Sequence, residues 1–331
     1  MNDVTVPQTV LFPDLFDRPL VATFDQTHAS SDGGAILLKA ADRRLGLTTA
    51  LADALTDTRD PARVTHRLGD LIAQRIFGLA CGYPDGNDAD GLAEDPIQKL
   101  LLDRDPISGR RLASQPTLSR FENGVGPRAL YGLGDAHTDT VIARHRRRAR
   151  RARRVTIDMD VTEDPTHGAQ QWTFFNGFYG GWCYLPLIAF LTIDDEPRQY
   201  LLAAVLRPGN ASTAGGAQAL LRRLIPKLWA AFPRARVRVR LDAGFATPTL
   251  FDELEAAGVE YVVAMATNPV LNRSAAPLLA TARDLAEKTG ASARIFGETI
   301  YQAKSWPHPR RAVIKAEVVA FADREIGRAH V

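Results

Sequence analysis

Two cysteines in 331 residues, Cys81 and Cys183, lie far apart in apolar settings. They offer neither a disulfide framework nor a thiolate metal site, and a reducing cytoplasm is the simplest setting. Lysine is scarce as well, with six lysines against thirty-five arginines. With abundant alanine, that imbalance reads as a GC-rich bacterial gene and says nothing of function. No apolar run reaches membrane-spanning length and no secretory leader opens the chain, so no membrane partner is expected. Charge of one sign is lacking too. The formal net charge is +3, so any affinity for a polyanion has to come from local clusters. What is present is 45% hydrophobic and 24% charged residues, enough for a large core and two domains.

Residues 1–33 read as irregular, with short extended pieces over Val10–Phe12 and Leu20–Phe24. From Gly34 to Arg154 the period is helical. Leu68, Leu71, Ile72, Ile76, Leu79 and Ala80 recur at helical spacing in "RVTHRLGDLIAQRIFGLACGY". In "ASQPTLSRFENG", Ser114 is placed to cap a short helix, with Pro116 inside its first turn and Gly124 at its end. That helix resembles the second helix of a helix-turn-helix, with Gln115, Thr117 and Arg120 available to DNA; a packed connector helix fits the same residues. "GYPDGNDAD" is acidic but lacks the spacing and terminal Glu of a calcium loop, and reads as a turn. "RHRRRARRARR" then packs eight arginines into Arg144–Arg154. Arg146, Arg147, Arg148, Arg150 and Arg151 would neutralise several phosphates, or form a solvated helix end.

After Arg154 the period changes to that of strands. Val155–Thr162, Trp172–Tyr179 and Cys183–Ile193 read as strands, followed by a helix over Ala214–Ala231. A strand in "RVRVRLD", a helix over Thr249–Ala257 and a strand over Tyr261–Ala266 come next. Strand, strand, strand, helix, strand, helix, strand is the order of a ribonuclease-H-like α/β domain. Residues 293–321 add two strands. The expected division is therefore a mostly helical DNA-binding and assembly region over 1–154 and an α/β domain with a β insertion over 155–324.

Within "RVTIDMDVTEDPTHGAQQ", Ile157, Met159 and Val161 alternate with Asp158, Asp160 and Thr162. Two carboxylates thus share one face of a strand. Asp242 ends a later strand, where the carboxyl ends of an open α/β sheet border a functional crevice. Carboxylates on neighbouring strands repel each other unless a cation such as Mg²⁺ joins them; two solvated acids on an edge strand is the plainer alternative. His167, before Gly168, reads as a turn residue, with a DNA or metal contact as the alternative. Arg207 braces its loop or meets a phosphate. Trp172, Phe174, Phe175, Tyr179 and Trp182 read as core residues rather than as rings that stack on bases.

From Pro13 to Ala322 the chain resembles a DDE transposase of a bacterial insertion sequence. The match is to the insertion-sequence family numbered 1380, related to the larger group numbered 4. It rests on "QRIFGLACGYPDGND", "LASQPTLSRFEN", "IDMDVTEDPTHGAQQ", "FFNGFYGGWCYLPL", "LRPGNAS", "RLDAGF" and "YVVAMATN", in that order. The resemblance implies a ribonuclease-H-like catalytic domain, two Mg²⁺ or Mn²⁺ ions, and cut-and-paste movement of an element. Its double-stranded DNA partners would be terminal inverted repeats and target DNA, bound by a homo-oligomer on the bacterial nucleoid. Residue by residue, the first catalytic Asp falls on Asp160, in Asp160-Val161-Thr162, with Asp158, two residues earlier on the same face, as its supporting partner or as the first ligand in its place. The second falls on Asp242, followed by Ala243 where the family more often has serine. The third, a helical Glu in a Tyr…Arg-Gly…Glu…Lys setting, has no matching stretch, and Glu317 sits in a strand pattern. Back-translation of Glu325–Val331 permits a common short-read sequencing adapter. The expectation is a cut-off reading frame, a translated adapter over 325–331, and a fragment inactive in catalysis. Two other functions fit parts of the pattern: a non-catalytic binder of terminal repeats, and a ribonuclease-H-like nuclease without strand transfer.

Overall fold

The computed structural model describes residues 9–11, 20–22, 28–321 and 324–330, with side chains over 28–319. Most of the irregular stretch expected over 1–33 lies outside the described residues. Of the segment Glu325–Val331, only backbone up to His330 is described. The chain divides into two compact units, Met1–Ala136 and His137–Val331.

In the first unit a short antiparallel pair, β1 (Thr9–Leu11) and β2 (Leu20–Ala22), precedes a run of helices. These are α1 (Ile36–Leu45), α2 (Leu47–Asp53), α3 (Leu68–Ala80), α4 (Asp88–Leu92), α5 (Pro96–Leu101), α6 (Gln115–Gly124) and the first half of α7 (Pro127–Arg146). Helix α3 follows the apolar spacing of its sequence and buries Leu71, Ile72 and Phe77. The amide of its Gln74, also buried, donates to Ala113 O at 2.8 Å and accepts from Ala113 N at 3.0 Å. Both backbone groups of Ala113 are thereby satisfied where no ladder reaches them, and the start of α6 is pinned to α3. Leu71, Ala89, Ala113 and Leu118 form the small core beneath.

The second unit holds the rest of α7 and then β3 (Arg154–Val161), β4 (Asp164–Pro165), β5 (Phe174–Asn176), β6 (Gly181–Tyr184), β7 (Leu187–Ile193) and β8 (Tyr200–Val205). There follow α8 (Ala217–Ala231), β9 (Arg236–Leu241), α9 (Pro248–Ala256), β10 (Glu260–Val263), α10 (Pro269–Thr289), β11 (Ala293–Tyr301), β12 (Arg310–Phe321) and β13 (Arg324–His330). The main sheet has the order β10-β9-β3-β7-β8. Strands β10, β9 and β3 run parallel, and β7 and β8 continue antiparallel.

Period-2 alternation assigns the faces. Val155, Ile157 and Met159 of β3, Val237, Val239 and Leu241 of β9, and Leu187, Ala189 and Leu191 of β7 share one core. Leu220, Leu221, Leu224 and Leu228 of α8, Leu250 and Leu254 of α9, and Ile142 of α7 complete it. Each large aliphatic side chain buried this way contributes about 1.5–3 kcal/mol. The opposite face carries Thr156, Asp158, Asp160, Arg236, Arg238 and Arg240 and is polar.

The count of main-sheet strands matches the sequence expectation, but its membership does not. The strand expected over Cys183–Ile193 divides at Pro186, which has no N–H for a ladder. Strand β6 joins the small sheet β4-β6-β5, and only β7 enters the main sheet. The third member of the antiparallel part is β8, whose small residues Ala203 and Ala204 blur its alternation. Helix α10 and strand β13 have no counterpart in the sequence expectations. Ala282 and Ala286 of α10 pack on Ala293 and Val318 of the β11–β12 pair.

Candidate functional site

Parallel pairing of β3 with β9 runs from Arg154↔Arg236 to Met159↔Leu241. The next residues on the two strands are Asp160 and Asp242, so both stand at the same edge of adjacent strands, whose backbones lie about 4.8 Å apart. Both are exposed. Asp160 Oδ1 accepts from Val161 N at 2.8 Å. Asp242 Oδ1 accepts from Gly244 N at 2.9 Å and caps a short 3-10 turn over Ala243–Phe245. Neither is ion-paired among the described residues, and each has its Oδ2 free.

Asp158 shares the strand face of Asp160 but has a different environment. Its Oδ1 pairs with the Arg240 guanidinium, and its Oδ2 accepts from Thr192 Oγ1 at 2.8 Å and Gln199 Nε2 at 3.0 Å. Both oxygens are occupied, so a cation at Asp158 would have to displace Arg240.

Two neighbours of the acid pair come from outside β3 and β9. Burial, then the charges of Asp160, Glu163 and Asp242, push the Tyr179 hydroxyl above its ordinary pKa. Its phenol therefore feels the charge of three carboxylates, one of them the unassigned Glu163. The second neighbour is the loop between β8 and α8. A Cβ on Gly244 would lie 2.5 Å from Thr213 Cγ2, so this loop packs directly on the turn that follows Asp242. Arg207 holds the loop: Nε donates to Leu185 O at 2.9 Å, and Nη1 donates to the carbonyls of Ser212, Thr213 and Gly215. Arg207 is buried without a carboxylate, and burial lowers its pKa. Of the two roles expected for it, the loop brace is the one these bonds describe.

The rings expected in the core stand largely on the surface. Trp172, Phe174, Phe175 and Trp182 are exposed, and Phe178 joins them. Only Tyr179 is half-buried. The reason is topological. Sheet β4-β6-β5 is a small flap, and Cys183, with no exposed surface, is the residue its anchored face buries.

A second polar cluster gathers Asp252, Glu255 and His308, with potential ligand atoms within 4.8 Å of one another. Arg310 bridges both carboxylates, and Tyr261 Oη donates to Glu255 Oε1 at 2.5 Å. The guanidinium stacks over Phe251 and Trp306 and already occupies the cation position. Its hydrogen bond holds the Glu255 carboxyl down at about 2. This set therefore fits a metal poorly, whereas Asp160 and Asp242 offer unpaired oxygen donors that suit a hard divalent ion. Glu317 lies on β12, hydrogen-bonded to Lys315 and Arg294, which lower its pKa to about 2.

Arg144 and Arg146 close α7, and Arg147–Arg151 continue as turns. Arg148 is engaged by Glu196 at 2.6 Å and by the Tyr200 hydroxyl. Arg146, Arg147, Arg150 and Arg151 are exposed without an ion pair among the described residues. In the first unit, Thr117 and Arg120 of α6 line a cleft of about 650 Å³ with Arg59, Arg63 and His66. Gln115 lies outside that lining; its N–H donates to Asp90 Oδ1 at 3.2 Å. Residues 102–114 separate α5 from α6, longer than the three or four residues of a helix-turn-helix turn.

The sequence matches the transposase DDE domain group 1 over residues 12–323, and the chain belongs to that family. No curated protein matches it. Several solved structures resemble it weakly. A piggyBac transposase synaptic complex with hairpin DNA gives a TM-score of 0.35 at 10% identity, over 89% of this chain and 60% of that one. A Mos1 transposase paired-end complex with the left transposon end gives 0.22 at 18%, over 67% and 72%. A pre-cleavage Mos1 transpososome gives 0.22 at 15%, over 69% and 76%. The chain thus spans about 60% of the length of the piggyBac transposase chain. No helix among the described residues is long and apolar enough to cross a membrane.

Proposed function

We propose that this chain is the DNA-binding and catalytic part of an insertion-sequence transposase of the 1380 family, moving its element by cut-and-paste. One observation carries the reading: Asp160 and Asp242 reach the same edge of adjacent parallel strands, unpaired, while Asp158 is neutralised by Arg240. The order β3, β7, β8, α8, β9, α9, β10 supports a ribonuclease-H-like catalytic domain. Asp160 and Asp242 would hold the divalent metal. When bound, that metal would supply activation of a water and stabilisation of the leaving oxygen of a phosphodiester.

The protein's own groups do the rest. The Gly244 N–H and the Arg207-braced loop orient Asp242, and the Val161 N–H orients Asp160. Asp158 holds Arg240 beside the pair. The unpaired arginines at the end of α7 grip DNA phosphates, with Arg148 tied to Glu196, and Gln115, Thr117 and Arg120 belong to the end-binding region. Two carboxylates do not fix two ions in line, so the 331-residue chain by itself is inactive in cleavage.

Mn²⁺ titrated into the chain and followed by electron paramagnetic resonance tests the site. Binding should be lost in Asp160→Asn and in Asp242→Asn and kept in Asp252→Asn. Binding that survives both of the first two and disappears in the third would move the metal to the Arg310 cluster. Labelled DNA flanking the reading frame should be bound without metal and left uncut with it. Metal-dependent cutting that Asp242→Asn removes would refute the inactivity.

A further inference from the structure

We infer that the β5–β6 hairpin is a stacking platform for unpaired DNA bases beside the Asp160–Asp242 pair, an inference that rests on the transposase reading above. The rings are far more exposed than core aromatics: Phe178 by 89%, Trp172 by 69%, Trp182 by 59% and Phe175 by 56%. Exposed rings gathered on one small sheet mark an interaction surface.

The platform is built rigid. Phe175 and Trp182 are cross-strand partners with ring centroids 6.4 Å apart, edge to face. At the tip, Phe178 meets Tyr179 edge to face at 4.9 Å. Asn176 Oδ1 accepts from Phe178 N at 3.0 Å, and Asn176 Nδ2 donates to Gly209 O at 2.8 Å. Gly180, at φ +72°, donates back to Asn176 O at 2.8 Å and closes the turn. Trp172 is held at φ +65°, a left-handed backbone that a bulky side chain rarely adopts. Strain of this kind persists where the surroundings over-determine a functional geometry. The rest of the segment is tied by Tyr184 Oη donating to Gln171 O at 2.5 Å and by Thr173 Oγ1 donating to Gln170 O at 3.1 Å.

Position and charge select the occupant. The hairpin adjoins the acidic segment after β3: a Cβ on Gly181 would lie 3.7 Å from Glu163 Oε1, and Asp164 of β4 pairs with Tyr184 of β6. A second protein seated on these rings would desolvate Asp160, Glu163 and the nearby Asp164, none of them ion-paired among the described residues, at a large cost. A duplex offers these rings no base face, because its bases are paired and stacked on one another. An unpaired base is neutral and flat. It covers a ring while its phosphate is turned away and the carboxylates stay hydrated. Aromatic rings stack on any base in this way, with little sequence preference.

The test uses the 331-residue chain in EDTA, which removes any metal contribution. A labelled oligodeoxythymidine and a mixed-sequence duplex of the same length are titrated by fluorescence anisotropy. Trp172→Ala with Trp182→Ala should weaken single-strand binding by about tenfold or more and duplex binding by less than about twofold. Trp182→Phe, which keeps a ring, should bind the single strand within about twofold of the parent. Phe178→Ala, at the exposed tip, supplies a second variant that does not disturb folding and should also weaken only the single strand. Equal loss on both DNAs, no loss on the single strand, or an unchanged affinity with conversion of a sedimenting dimer to monomer would overturn the platform. A parent chain that binds the duplex but not the single strand removes the platform alone. One that binds neither removes the transposase reading with it.

Discussion

At the scale of single residues, three aspartates that look alike in sequence differ in what surrounds them. Asp158 accepts from Arg240, Thr192 and Gln199 and is mostly buried, whereas Asp160 and Asp242 keep a free oxygen in water. Asp158→Asn should therefore act on stability. Loss of one partly buried ion pair costs about 1 kcal/mol or somewhat more, and the melting temperature should fall by about 2–4 °C. Mn²⁺ affinity should stay within about twofold of the parent, since neither free oxygen is touched. A metal affinity that collapses in Asp158→Asn at unchanged melting temperature would make Asp158 a ligand.

Glu255 supplies a pH dependence at the same scale. Arg310 lowers its pKa from 4.5 to about 2. The folded value lies below the unfolded one, so the stabilisation is fully present above pH 4.5 and is lost as the pH falls toward 2. Arg310→Met should flatten the acid limb of a urea-denaturation series over that window. An identical limb in the variant would show that other carboxylates govern acid unfolding.

Elements show how the site is held. The small sheet is fastened to the loop after β8 through Gly209, where an added Cβ would sit 2.1 Å from Cys183 O and 2.6 Å from Phe174 O. Backbone cannot yield there as a flexible side chain does. Gly209→Ala should destabilise by about 1–3 kcal/mol, read as a lower urea midpoint with an unchanged slope. The same change in Gly134, where nothing lies within 4 Å of an added Cβ, serves as the control and should stabilise slightly or leave the midpoint unmoved. The element-level misreading of the aromatic stretch has the same origin. A run of Phe, Tyr and Trp at strand spacing reads as core when the strand belongs to a large sheet. Strands β4, β5 and β6 form a three-stranded flap, and such a flap has one buried face at most.

Across the whole molecule, a net charge of +3 gives little general attraction to DNA, so affinity must follow the distribution of charge. Arg146, Arg147, Arg150 and Arg151 together replaced by Ala should reduce the slope of log Kobs against log salt by about 3–4 units, near 0.9 per released counterion. Arg148→Ala should change it little, because Glu196 already neutralises that guanidinium. A slope that is unchanged in the fourfold variant, in filter binding to duplex DNA, would place the phosphate contacts elsewhere, with the α6 cleft the next candidate.

The sequence by itself determined the helices with clear apolar spacing, the alternating strands β3 and β9, and the candidate acids Asp160 and Asp242. Those depend on local periodicity and on short motifs, which neighbours in sequence encode. Tertiary structure decided what depends on partners distant in the chain. It replaced the expected second strand of the main sheet with β8, because strand pairing joins segments distant in the chain and local pattern does not encode it. It gave Asp158 to Arg240, eighty-two residues away, and left Asp160 unpaired, although both occupy the same face of one strand. It turned the aromatic stretch outward, since burial is a property of the sheet that a strand joins and not of the strand's own residues.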